Sequence, residues 1–128
     1  MVKYQAGEFT IELDLSQPIY EQVLAQVRLA IARGEIELGA KIPSIREMAH
    51  CLKVNPNTIM RAYQELERDL LIETRRGQGT YVTSSLDKVK EVKHQLASLA
   101  IRNFIGAMKD LGIDRKTAES FLQEEDWS

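Results

Sequence analysis

The sequence predicts a mainly α fold that carries one small β-hairpin, and three observations lead there. Two short helix-start signals, at Ser44 and Asn55, lie so close together that only a tight turn fits between the helices they open. Two short β-prone runs then flank a glycine-bearing basic loop at Arg75–Gly79. From Leu86 onward the apolar residues recur with helical spacing over some 26 residues.

Each element has a local reason. Phe9–Leu13 alternates apolar and polar residues and reads as a short strand or extended arm. Ser16 offers an N-cap with Pro18 just inside the helix start. Ile19, Tyr20, Val23, Leu24, Val27 and Ile31 then give that helix one apolar face, with Gly34 as its stop and Gly39 in the following turn. Ser44-Ile-Arg-Glu47 is a capping box, which opens a short helix burying Ile45, Met48, Ala49 and Leu52. Asn55-Pro56 opens the next, which buries Ile59, Ala62, Tyr63, Leu66 and extends the stripe toward Leu70. Leu71–Thr74 and Thr80–Thr83 form the hairpin. A long helix runs from Leu86 to about Leu111, spanning about 39 Å at ~1.5 Å per residue. Gly112 stops it, and Asp114 caps a last helix carrying Ala118, Phe121 and Leu122.

Composition excludes several classes of function. At 128 residues with 44% hydrophobic content the chain fits one ordinary globular domain and a modest extension. No apolar run reaches the roughly 18–20 residues that span a bilayer, and MVKYQAGEF lacks the apolar stretch of a secretory signal. A single cysteine, Cys51, forms no internal disulfide, so a reducing cytoplasm is the expected compartment. His50, His94 and Cys51 do not make a metal constellation, and no phosphate-cradling glycine loop is present, so no cofactor is expected. No nucleophile, base and orienting group cluster, which argues against an enzyme.

Charge points weakly to nucleic acid. The net charge is −2, yet residues 40–82 hold seven basic against five acidic side chains, whereas the segments on either side are net acidic. The order of capped helix, tight turn, capped helix and basic hairpin is a winged helix-turn-helix. In such a unit the second helix enters the major groove by its N-terminal residues. Here those are Asn55, Asn57 and Thr58, with Arg61 one turn later. Asparagine can pair bidentately with adenine, and threonine can bond phosphate or touch a thymine methyl. Arg46 lies early in the preceding helix. Arg75, Arg76, Gly77, Gln78, Gly79 and Thr80 form a wing able to reach phosphates or a minor groove. Taken singly, every one of these signals is also an ordinary structural device. A module binding protein, favoured by the acidic balance, and a regulator sensing a small ligand between its last helices are the alternative readings.

The stretch IPSIREMAHCLKVNPNTIMRAYQELERDLLIETRRGQGTYV, residues 42–82, closely resembles the GntR family of bacterial regulators, and PIYEQVLAQVRLAIARGEIELGAK extends the likeness back to Pro18. The resemblance implies that Ser44 and Arg46 match the family's PS-x-R element, whose arginine contacts DNA. It likewise matches Asn55, Asn57 and Thr58 to the recognition-helix start, and Gly77, Gly79 and Thr80 to the wing. Arg61-Ala62-Tyr63 resembles the YtrA-type and aminotransferase-fused subfamilies. The sequence departs from the family at Lys53 and Leu70, where glycine is common, and at Pro56, where arginine is frequent. A left-handed backbone at either of the first two costs roughly 1–2 kcal/mol.

With 45 residues after Thr83, too few for a large effector or aminotransferase domain, the YtrA-type is the expected subfamily. The expected organisation is a winged helix-turn-helix DNA-binding domain at residues 1–83 and a helical dimerisation region at residues 84–128. The resemblance implies a homodimeric repressor of a nearby operon, often one for an ABC transporter. Its expected partner is double-stranded DNA with a pseudo-palindromic operator. An effector is unassigned.

Overall fold

The computed structural model describes residues 1–128. The elements in order are β1 (Val2–Ala6), β2 (Phe9–Leu13), α1 (Ile19–Ala32), β3 (Lys41–Ile42), α2 (Ile45–Leu52), α3 (Pro56–Arg68), β4 (Ile72–Arg75), β5 (Gly79–Val82), α4 (Leu86–Asp110) and α5 (Arg115–Glu124). They fall into two compact units, Met1–Lys93 and His94–Ser128. No helix is long and apolar enough to cross a membrane.

In the first unit, the inward faces of α1, α2 and α3 close on one core. Val23, Val27 and Ile31 from α1 meet Met48, Ala49 and Leu52 from α2 and Ile59, Ala62, Tyr63 and Leu66 from α3, all buried. Ile45 is only half-buried. The β-hairpin β1–β2, of which the sequence reading anticipated only the second strand, adds Ala6, Phe9, Ile11 and Leu13. Two glutamines on α1 secure it. The Gln26 side chain accepts from the Glu12 N–H (2.8 Å) and donates to the Glu12 carbonyl (2.6 Å). Gln22, one turn earlier, does the same for Asp14 at 2.8 and 2.9 Å. The backbone groups of Glu12 on the open edge of β2, and of Asp14 just past it, are thereby satisfied without a third strand.

Ser16 is not the N-cap of α1. That position falls to Pro18, which has no side-chain cap, while the Ser16 amide and hydroxyl both donate to the Asp14 carboxylate. An acidic residue two positions upstream outcompetes the helix end for the serine. The other caps hold. The Glu47 N–H donates to Ser44 Oγ and the Ser44 N–H donates to the Glu47 carboxylate, both at 3.1 Å. The Asn57 N–H donates to Asn55 Oδ1 at 2.8 Å, with Pro56 at the first helical position.

Three residues, Lys53–Asn55, separate α2 from α3. Lys53 is left-handed, with φ 58° and ψ 46°. Leu70, just beyond α3, is left-handed too, with φ 62°. It is 55% exposed rather than part of the buried stripe, and the chain re-enters the core at Leu71 instead. The left-handed turn swings one residue outward so that the next can start the wing. At both sites the side chain carries the ~1–2 kcal/mol strain that glycine avoids.

The wing is a three-stranded antiparallel sheet in the order β3-β5-β4. Its first strand, only two residues long, escapes any periodicity argument. The Tyr63 hydroxyl, buried in α3, donates to the Pro43 carbonyl at 2.7 Å and ties that helix to the segment between β3 and α2. Burial pushes this phenol's pKa well upward, so it stays a donor. Arg28 of α1 and Asp69 at the end of α3 form a half-buried ion pair at 2.6 Å.

In the second unit, Gly112 ends α4 in a left-handed conformation, and the Asp114 side chain caps α5 by accepting from the Thr117 N–H at 2.9 Å. Only Ala118 is fully buried there, with Leu96, Phe104, Met108 and Ile113 half-buried.

Tyr63→Phe is expected to cost about 1–2 kcal/mol in chemical denaturation, because it strands the Pro43 acceptor. Glu47 tests the capping box by pH. Hydrogen bonds from the Ser44 backbone, then its side chain, hold the Glu47 carboxyl below its ordinary value of 4.5. A lowered folded-state pKa means that the stabilisation is full above 4.5 and disappears as pH falls through the lower folded value. The stability gap between the wild type and Glu47→Ala should therefore narrow in acid; a constant gap from pH 7 to 3 would contradict it.

Candidate nucleic-acid interface

The core defines the candidate interface by exclusion. With Ile59, Ala62, Tyr63 and Leu66 turned inward, the 3.6-residue repeat sends Asn57, Arg61, Gln64 and Arg68 to the opposite side of α3, where all are exposed. Asn55 is exposed at the helix start and Thr58 is half-buried at the flank. The Asn55 side-chain oxygen is occupied by its capping bond, which leaves its amide nitrogen to face outward. Gln64 and the half-exposed Met60 were not anticipated from the sequence. Spacings of seven and three residues from Asn57 were the available signal.

Arg61 is not a free surface cation. Its guanidinium lies over the Tyr20 ring of α1, 4.0 Å from the centroid. The stack is worth ~0.5–1 kcal/mol at an exposed site and fixes the direction of the head group. The pairing joins residues 41 positions apart, which no local pattern reveals.

The two wing arginines differ. The Arg75 guanidinium lies over the Tyr81 ring at 4.1 Å and donates to the Glu73 carboxylate through Nη2 (2.6 Å) and Nε (3.0 Å). Its charge is largely answered within the wing. Arg76, at the turn, is exposed and has no acidic partner. Gly77 is left-handed at φ 78°. At Gly79, with φ 129°, a Cβ would come within 2.7 Å of Lys41 Cε, so glycine lets the Lys41 stem cross the wing. Lys41 is thus a further exposed cation of this surface. Gln78 is exposed, whereas Thr80 is buried.

Arg46 is exposed on α2 and free of any acidic partner, and Ser44 is engaged in its capping box. The structure therefore brings together, on one unit, an outward polar stripe, Arg46 and a wing with one unpaired arginine. No cluster of His, Cys, Asp and Glu could hold a metal ion.

Residues 19–82 match the bacterial regulatory proteins of the gntR family. The chain belongs to the GntR family. Among GntR relatives, it is 45% identical over 101 residues to the uncharacterized HTH-type transcriptional regulator YhcF of Bacillus subtilis, covering 79% of this chain and 84% of that protein. It is 42% identical over 92 residues to the HTH-type transcriptional repressor YtrA of the same organism, covering 67% and 71%. A GntR family transcriptional regulator from Listeria monocytogenes superposes with a TM-score of 0.81 at 37% identity, over 89% of this chain and 100% of that one. The chain is accordingly a transcriptional regulator of the YtrA type and not an enzyme.

The unequal wing arginines give a direct expectation. Arg76→Ala should lower duplex affinity about equally for all sequences and reduce the slope of log affinity against log salt by about 0.9. Arg75→Ala should change the slope by clearly less. Equal slopes for the two variants, measured by titration at several salt concentrations, would refute the distinction.

Proposed function

We propose that the chain is a homodimeric repressor that binds double-stranded DNA at a pseudo-palindromic operator. The observation that carries this reading is the outward stripe of α3, in which Asn57, Arg61 and Gln64 are exposed beside the unpaired Arg46. Asn and Gln match the donor and acceptor edge of adenine, and arginine matches guanine or phosphate. The repressor named among the relatives supports the direction of regulation. In this reading residues 1–83 are the DNA-binding domain and residues 84–128 the dimerisation region, and the chain works in the cytoplasm on a neighbouring operon, such as one for an ABC transporter.

The apolar surface of the second unit supports the dimer. Leu99, Ile101, Ile105, Leu111, Phe121 and Leu122 are all exposed there, between 44% and 69%. Thirty-five residues with one fully buried side chain do not make a core of their own. A second copy would cover this surface and present a second recognition helix, one DNA turn or about 34–36 Å from the first.

Fluorescence anisotropy with the upstream region of the gene tests the DNA reading. Binding is expected to be ~10³-fold or more tighter than to random duplex and to weaken steeply with salt. Equal affinity for both duplexes would overturn it. Arg46→Ala should lower specific affinity by ~1–3 kcal/mol if the guanidinium meets a base. Sedimentation equilibrium tests the dimer: Ile101→Glu combined with Ile105→Glu should yield monomers with weakened operator binding. A monomeric wild type would refute the dimerisation region.

A further inference from the structure

The turn between α2 and α3 holds an unexplained side chain. Lys53 occupies a left-handed position that glycine would fill without strain, and its side chain is exposed and makes no ion pair. Nothing inside the protein compensates for a lysine here.

Its surroundings supply the explanation. Arg46, Ala49, His50, Lys53, Val54 and Pro56 line an open cleft of about 450 Å³ beside the first turn of α3. Arg46, one full turn before His50, and Lys53, just past the last turn of α2, place three basic side chains around it. No acidic residue lines it, since Glu47, the nearest carboxylate in sequence, is turned toward the Ser44 N–H. Arg46 and Lys53 are unpaired: the ion pairs of this unit engage Lys3, Arg28, Arg33, Arg68, Arg75 and Lys88 instead. A cluster of like charges that lacks a counter-ion in the protein is complementary to an anion from outside.

We propose that His50 and Lys53 seat a backbone phosphate of the bound duplex beside Arg46 and the recognition helix, with Lys53 held at a strained position for its charge. The proposal rests on the DNA reading above and adds two residues, His50 and Lys53, to the interface. Lysine serves phosphate as a point charge on a flexible stem, so the seat positions the helix on the duplex without reading sequence.

Strain and charge make opposite demands at position 53, and the test uses that opposition. Lys53→Gly is expected to raise the thermal midpoint by roughly 3–5 °C. The same variant should lose roughly threefold to tenfold in affinity for operator and random duplex alike, with the salt slope shallower by about 0.9. Leu70→Gly is the control, relieving the same backbone strain at an uncharged site: its midpoint should rise while affinity and slope stay at wild-type values. Lys53→Arg should keep the affinity. Wild-type affinity and salt slope in Lys53→Gly would overturn the seat while leaving the DNA reading intact. A wild type that binds no duplex would overturn both.

Discussion

The recognition helix must bury one side and leave the other in water, and this constraint organises the first unit. Ile59, Ala62, Tyr63 and Leu66 cannot be solvated together without losing roughly 1.5–3 kcal/mol each of the larger side chains' burial. Once they face α1 and α2, the direction of Asn57, Arg61 and Gln64 follows from the helical repeat alone. The other contacts refine that placement. Tyr63 ties the helix to the Pro43 carbonyl, Arg28 holds its far end through Asp69, and Tyr20 steers Arg61. Packing and presentation are two consequences of one amphipathic pattern.

What the sequence revealed of this arrangement was what chemistry keeps local. The capping box at Ser44–Glu47 and the Asn55-Pro56 start are complete within four residues, so their geometry could be foreseen. The winged helix-turn-helix was legible for the same reason, as a series of short-range signals in fixed order. Ser16 shows the limit of that reasoning, because Asp14 offered its hydroxyl a rival partner just as near. Strands β1 and β3 were missed for a different reason. The outer residues of β1 are mostly exposed, and β3 is two residues long, so neither carries a periodic apolar signal.

The candidate interface was legible by residue but not by state. Counting basic side chains in the wing treats Arg75 and Arg76 alike, yet Glu73 and Tyr81 engage the first and leave the second free. Arg61 reads as an ordinary surface residue until α1 is packed beside it. The departures from glycine at Lys53 and Leu70 could be located in the sequence, but their left-handed backbone could be seen only in the fold. Charge counts describe what a segment carries; tertiary contacts determine how much of it remains available to a partner.

The pairing of Gln22 and Gln26 with the edge of β2 bears on cooperativity. Two side chains on successive turns of α1 serve the hairpin as a neighbouring strand would, so the Glu12 and Asp14 amides are closed off although no strand lies beside them. The hairpin cannot lift away without exposing four backbone groups at once, which merges hairpin and helix into a single opening unit for amide exchange. Tyr20, beneath the Arg61 guanidinium, sits on that same helix two residues before Gln22. The orientation of a side chain on the outer face of α3 is thereby linked, through α1, to the integrity of that hairpin.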